Sequence, residues 1–397
     1  MKISVLTPDL SQNCLGRAYL LAKILQRHYD VEIVGAIFGR GIWPPLANLD
    51  NIECKCVKIE GGVRAYWQLR ELAAKISGDV IYASKPRFSS FGIGLLRKFV
   101  CRRPLLLDID DWEMGFMKEA YKNLSLAERL KALVNSFLNP QSSVSYWNDF
   151  GVPQVGLDLL FCEKLTCLAD EITVSNNFLK DRFGGQIVWH ARDTEALNPD
   201  KFDSGLIREK YGIEKNEKTL MFLGTPRRHK GIEDLVEATS LLRRQDVKLI
   251  IVGVDDTRYS QNLVRLARQK LGQNIILFGV QPTGKVPEFL AMADIVVIPQ
   301  RRNLASVGQM PAKVFDAMSM AKAIVATDTS DLPEILDSCG WIIEPERPSQ
   351  LAATLQYILD HPMEADQKSR KARANCVQKY SWNALEEILI SIFRKYE

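Results

Sequence analysis

The chain has 397 residues, more than one hydrophobic core usually organises, because single cores stop growing at roughly 250 to 300 residues, so two domains are expected. Hydrophobic residues make up 46% and charged residues 25%, which excludes disordered and fibrous classes. The 52 Lys and Arg against 48 Asp and Glu leave a net charge of +4, too near balance to make nucleic acid the main partner without a local basic patch. Cys14, Cys54, Cys56, Cys101, Cys162, Cys167, Cys339 and Cys376 form no CxxC pair and are expected to be reduced thiols in a cytoplasmic protein. His28, His190, His229 and His361 form no HExxH, so no structural metal is expected. The amino terminus reads as a short strand and no run reaches about 18 apolar residues, the pattern of a soluble chain.

Strand-like runs alternate with helical ones in chain order. KISVLTP is followed by GRAYLLAKILQRH at helical period and by VEIVGAI, a continuous apolar run of the kind buried on both faces of a sheet. VIYAS, the helical GIGLLRKFVCRR, PLLLDID and EITVS (171–175) continue the βα rhythm. The stretch 115–168 breaks it, with helical SLAERLKALVNSFL before a turn-rich PQSSVSYWNDFGVPQ, and reads as an insertion. A polar linker with Pro199 places a boundary near 195. A second series starts at Lys218: TLMFLGT, GIEDLVEATSLLRRQ, VKLIIVGV, YSQNLVRLARQKLG, IILFG, KVPEFLAMA, DIVVIPQ, AKVFDAMSMA and AIVAT. The expected class is α/β with two doubly wound domains, 1–195 and 196–375, then a helical 376–397. Ligands of such sheets bind at the carboxyl ends of the strands.

Phe222-Leu-Gly-Thr-Pro-Arg-Arg-His-Lys-Gly231 is a strand end, a turning basic loop and a helix start. Arg227, Arg228 and Lys230 beside backbone N–H groups suit a diphosphate, and the same loop also reads as a solvated turn with surface bases. After DIVVIPQ, Ser306-Val-Gly-Gln-Met-Pro-Ala-Lys-Val-Phe-Asp-Ala-Met318 brings a second loop and helix start to the same sheet edge. There Gly308 allows close backbone approach and Pro311 suits a first turn. Lys313 can face phosphate, and Asp316 can accept two ribose hydroxyl bonds or be an acid favoured by the helix dipole. Asp108-Ile-Asp-Asp-Trp-Glu113 gathers acids at the end of PLLLDID. They fit a metal-binding Asp-x-Asp, an acceptor site in which Asp110 orients a hydroxyl or takes its proton, or the cap of a helix.

Taken together, FLGTPRRHKGIEDLVEA, LFGVQPTGKVPEFLAMADIVVIPQ, PAKVFDAMSMAKAIVAT, DLPEIL with CGWIIEPERPSQLAATL, and Ala169-Asp-Glu-Ile-Thr-Val-Ser175 resemble the retaining GT-B glycosyltransferases of the large family 4, glycosyl transferases group 1. The resemblance covers most of the chain. It implies two Rossmann-like domains facing across a cleft, the first binding acceptor and the second a nucleotide sugar, with a C-terminal helix crossing back to the first domain. The diphosphate is then held without an obligatory metal by Arg227 and Lys230, in the loop that holds Gly224 and Thr225. Asp316 stands at the second acid of a Glu-x7-Glu motif, shortened by one methylene, and Gly308 replaces the first acid. That replacement leaves the backbone N–H groups of Gln309, Met310 and Ala312, around Pro311, as the implied donors to sugar and phosphate. Gly16, in Asn13-Cys-Leu-Gly16-Arg17, resembles the glycine loop that approaches the donor phosphates, and is equally an ordinary turn glycine. Asp110 lies where relatives place a histidine near the reacting sugar, and Asp193 where they have a hinge turn. His190, beside an apolar strand, reads as a packing residue.

The implied activity is that of a hexosyltransferase of class EC 2.4, moving glucose as first choice from a UDP-sugar to a carbohydrate or lipid-linked acceptor in polysaccharide or glycolipid biosynthesis. Its catalytic residues are Arg227, Lys230 and Asp110. Asn51 to Leu107 holds eleven basic residues against four acids, and with the amphipathic GIGLLRKFVCRR this suggests peripheral contact with an anionic membrane on its inner face. No recognition motif for nucleic acid accompanies the charge. Loss of the first motif acid keeps open a nucleotide-sugar-binding protein of weakened turnover. A nicotinamide dehydrogenase is disfavoured because neither first loop reads GxGxxG.

Overall fold

Short apolar runs with no polar face can be buried only where helices cover both sides of a sheet, and both sheets of the chain are built this way. The structure, a computed structural model, describes residues 1–47, 49, 51–60, 64–122, 124–129, 131 and 157–397. Chain contacts separate two units: Met1–His190 with Val307–Gln309 and Leu385–Glu397, and Ala191–Ser306 with Met310–Ala384.

The first unit holds strands β1 (Lys2–Thr7), β2 (Asp30–Ile37), β3 (Glu53–Lys58), β4 (Val80–Ser84), β5 (Leu105–Ile109), β6 (Glu171–Val174) and β7 (Gln186–Ile187). They lie in the order β3-β2-β1-β4-β5-β6-β7, with every neighbouring pair parallel. The second unit holds β8 (Lys218–Leu223), β9 (Val247–Val254), β10 (Ile275–Gly279), β11 (Ile295–Ile298), β12 (Ala323–Thr327) and β13 (Trp341–Ile343). Their order is β10-β9-β8-β11-β12-β13, again all parallel. In each sheet the direction of winding reverses beside its first strand, between β1 and β4 and between β8 and β11. Loops that leave the sheet at such a reversal point diverge and open a crevice at the carboxyl ends of the strands.

Helices α1 (Leu15–Leu25), α2 (Arg64–Ala74), α3 (Ile93–Cys101) and α4 (Glu113–Tyr121) belong to the first unit. Two elements differ from the sequence reading. β3, spelled ECKCVK, carries alternating charge because it is an edge strand with one half-exposed face, and α2 follows it. Of the stretch 115–168, α4 and helix Leu157–Lys164 are described, and 132–156 lies outside the described residues. Within the first unit, Glu386 of the C-terminal stretch pairs with Arg27 and His28 at the end of α1, and Phe393 meets the Tyr82 ring at 5.3 Å.

Arg17, buried in α1, ties that helix to the sheet. Its Nε and Nη2 donate to the two Asp108 oxygens at 2.9 and 2.8 Å, and Nη1 and Nη2 donate to the carbonyls of Trp189 and Val188 at 2.9 and 2.7 Å. Thr173 Oγ1 completes the Asp108 shell at 2.8 Å. Removing one partner of such a pair strands the other charge in a dry interior. Arg17→Met should therefore lower the stability of the first unit by about 3–5 kcal/mol, read as a shift of its urea midpoint, and Arg17→Met with Asp108→Leu should recover part of the loss.

Candidate functional site

Two groups of the sequence-selected residues gather, one at the reversal point of each sheet. In the second unit β8 runs into Gly224, whose φ of +124° is open to glycine alone among common residues. The chain turns through Thr225 and Pro226, makes a single 3₁₀ turn over Arg228–Lys230, and enters helix Ile232–Leu241 through Gly231 at φ +62°. A Cβ at Gly231 would lie 2.0 Å from the Pro299 carbonyl oxygen beyond β11, so the glycine is what lets the two loops of the reversal point approach.

Two lysines flank the Gly224–Thr225 turn. Lys230 Nζ donates to the Thr225 carbonyl at 2.7 Å. Lys313 Nζ lies 3.8 Å from the centre of the Phe222 ring, and a Cβ at Gly224 would approach it to 3.1 Å. Burial, and then the nearby Lys230 charge, hold the Lys313 ammonium well below the ordinary lysine range, with Asp316 opposing. The charged form of Lys313 is thus disfavoured, and an anion placed beside it would favour its protonation. Arg227 turns aside: its Nη1 donates to Asp255 Oδ2 at 2.8 Å and to its neighbour's carbonyl, that of Pro226, at 2.6 Å. Burial alone would raise the Asp255 carboxyl, but bonds from Ser260, Thr257 and Arg227 outweigh it and lower its pKa.

Asp316 is clamped by Arg192, whose Nε and Nη2 reach its two oxygens, the second at 3.1 Å, while Nη2 also donates to the Ala312 carbonyl at 3.1 Å. Neither Arg192 nor Asp255 was legible as a site residue, since each lies far in sequence from the loop it serves. Met310 and Pro311 are buried and Ala312 half-buried at the start of helix Lys313–Ser319.

The second group belongs to the first unit. Gly16 begins α1 beside buried Arg17; a Cβ there would meet only the Trp43 ring, at 3.8 Å, so no close approach demands the glycine. Asp110 and Asp111 follow β5, and buried Lys85 lies 2.9 Å from Asp110 Oδ1, 2.5 Å from Asp111 Oδ2 and 3.2 Å from Glu113 Oε1. Arg87 lies 2.6 Å from the other Glu113 oxygen. Both bases, counted in the sequence with the basic stretch 51–107, are buried and do not contribute to a surface patch. Burial pushes the Asp110 carboxyl up to about 7, with Lys85 opposing and Asp111 and Asp108 adding to the rise. Val307–Gln309 counts with this unit: Gln309 Nε2 donates to Asp111 Oδ1 at 3.1 Å, and a Cβ at Gly308 would fall 2.3 Å from Trp112 Cβ. The position of the missing motif acid therefore has no room for a side chain. Among the described residues no group of three or more His, Cys, Asp or Glu could hold a metal ion. His190 and Asp193 stand at the division between units; Asp193 Oδ1 accepts the backbone N–H groups of Glu195 and Ala196, a turn-forming role.

Two parallel doubly wound sheets of this kind make up the GT-B fold. The likeness extends to solved structures over the whole chain: the Anabaena protein HepE in complex with UDP-glucose (TM-score 0.77, 15% identity, 100% of both chains) and sucrose-phosphate synthase from Thermosynechococcus elongatus (TM-score 0.72, 15% identity, 100% of this chain and 98% of that one). Residues 203–378 match the family described as "Glycosyl transferases group 1". Among curated relatives, alpha-maltose-1-phosphate synthase of Mycobacterium tuberculosis is 26% identical over 53% of this chain and 56% of its own length. Alpha-D-kanosaminyltransferase of Streptomyces kanamyceticus is 24% identical over 51% and 50%. The chain thus spans about half the length of these relatives.

Gly231→Ala tests the geometry of the loop. The clash with the Pro299 carbonyl and the left-handed φ should cost at least about 1 kcal/mol of stability in the second unit, measured by thermal unfolding.

Proposed function

We propose that the protein transfers a hexose, glucose as first choice, from a UDP-sugar to a carbohydrate or lipid-linked acceptor with retention at the anomeric carbon. The acceptor end product is a polysaccharide or glycolipid. The observation that carries this reading is the pair of lysines flanking the Gly224–Thr225 turn, within the segment that matches the family. As the glycosidic bond breaks, negative charge grows on the departing diphosphate, and cations already fixed beside it stabilise that charge without reorganising. Lys230 and Lys313 act there, with Arg227 released from Asp255 toward the phosphate. UDP is chosen as carrier on the likeness to a protein solved with UDP-glucose.

Asp316, held by Arg192, has a bidentate partner already and meets the ribose only if that clamp opens. Together with Gly308 this favours a second reading, a protein that binds nucleotide sugar and turns it over slowly. Turnover separates the two. Purified protein should hydrolyse or transfer from UDP-glucose, and UDP should raise its melting temperature. Lys230→Ala should reduce kcat/KM by on the order of 10²-fold, the usual cost of one oxyanion-stabilising group, with Arg227→Ala losing less because Asp255 competes for it. If UDP and its sugars move neither melting nor turnover, the donor assignment is wrong.

A membrane-facing role for the first unit is supported by a surface spanning α2 and α3. Trp67 is 66% exposed, Phe99 65% and Val100 69%, with Tyr66 and Leu96 beside them. Arg64, Arg70 and Arg102 on and beside the same two helices are exposed, and the Arg70 guanidinium lies 6.0 Å from the Trp67 ring centre. No described helix is long and apolar enough to span a membrane. The protein should co-float with vesicles containing phosphatidylglycerol and not with pure phosphatidylcholine, since each base near an anionic surface contributes about 1 kcal/mol. Trp67→Ala with Phe99→Ala should abolish flotation while leaving UDP binding intact.

A further inference from the structure

Lys85 stands just beyond β4, where the winding of the first sheet reverses, in a left-handed conformation of φ +65°. That region is strained for any residue with a Cβ and persists only where the surroundings overdetermine it. Here they do: Lys85 N donates to the Asp108 carbonyl at 2.7 Å, and the Lys85 carbonyl accepts Arg87 N at 2.8 Å and Ser90 Oγ at 2.9 Å. The turn carries a buried ammonium to three carboxylates.

The three are not equivalent. Glu113 has Arg87 as a second cation, and Asp111 has the Gln309 amide. The Asp110 carboxylate is touched, among the described residues, by Lys85 as its one base. Its backbone is fixed independently, because Ser175 Oγ donates to the Asp110 carbonyl at 2.7 Å. Arg17 is committed to Asp108, and the Cys14 thiol, pushed up to about 12 by burial, adds no charge.

We propose that Lys85 is a positioning residue for the acceptor half of the reaction: its ammonium, brought to the sheet edge by the left-handed turn, keeps Asp110 a carboxylate that accepts the hydrogen bond of the incoming hydroxyl. The inference rests on the glycosyltransferase reading for the word acceptor, and on the geometry of the first unit for the rest. The charged groups that act on Asp110 from the elements around it are Asp108 and Asp111 on one side of the balance and Lys85 and Arg17 on the other, while Glu113 and Arg87 pair with each other beyond Lys85. Burial already carries the Asp110 carboxyl to about 7, against the pull of Lys85, so removing Lys85 moves it further up. The carboxylate would then be lost at neutral pH, and a rate that needs it would rise only at higher pH.

The test is a pH titration of the protein labelled with ¹³C at aspartate carboxyls, with Asp110→Asn assigning the signal. The unsubstituted protein should show an Asp110 midpoint near neutrality. The Lys85 ¹⁵Nζ resonance should inflect at the same pH, a measurement that needs no variant. Lys85→Gly, which suits the positive φ and removes the ammonium, should move the midpoint up by at least one unit, and Lys85→Arg should restore most of it. The acid limb of the pH profile of transfer should move with the midpoint. No inflection at Lys85, or an unmoved midpoint in a folded Lys85→Gly, overturns the proposal. A shifted midpoint in a protein with no transferase activity would leave Lys85 and Asp110 linked and sink the reading of the reaction instead.

Discussion

Every strand of both sheets runs the same way, so all carboxyl ends collect along one edge of each sheet, and any charge placed there must be neutralised at that edge or wait for a ligand. The first unit offsets most of its own, with three bases against four acids. Asp108 is matched by Arg17, Glu113 by Arg87, and Asp110 and Asp111 share Lys85. The second unit brings two lysines together at its edge, and the Lys230 charge helps to hold the Lys313 ammonium below the ordinary lysine range. The same architecture therefore yields one edge rich in acids that its own bases largely offset and one that gathers lysines, a difference in charge rather than in backbone.

Much of this was legible because it is local. The alternation of apolar runs and helical stretches follows directly from parallel strands covered on both faces, and β1, β2, β4, β5 and β8 fall where continuous runs such as VEIVGAI and TLMFLG stand. The edge strands were harder: ECKCVK has no apolar run because one of its faces is half-exposed, and WII is only three residues long. The basic loop at 222–231 could be picked out because strand, turn, bases and helix are contiguous.

What escaped the sequence depends on tertiary pairing. Lys85 and Arg87 look like members of a basic surface until the fold brings Asp110, Asp111 and Glu113 onto them, 25 to 28 residues further along the chain. Arg192 is invisible for the same reason, 124 residues from Asp316. Gly308 could be seen to replace an acid, but the crowding by Trp112 that makes the replacement necessary could not.

The Arg192–Asp316 clamp has a consequence for how this chain can vary. Arg192 cannot retreat easily, since its N–H donates to the Tyr380 carbonyl and its own carbonyl accepts Trp382 N, both at 2.9 Å. A carboxylate longer by one methylene at 316 would drive into a guanidinium that has nowhere to go. The two positions should therefore drift as a couple across descendants of this sequence, a glutamate at 316 arriving together with a smaller or uncharged partner at 192.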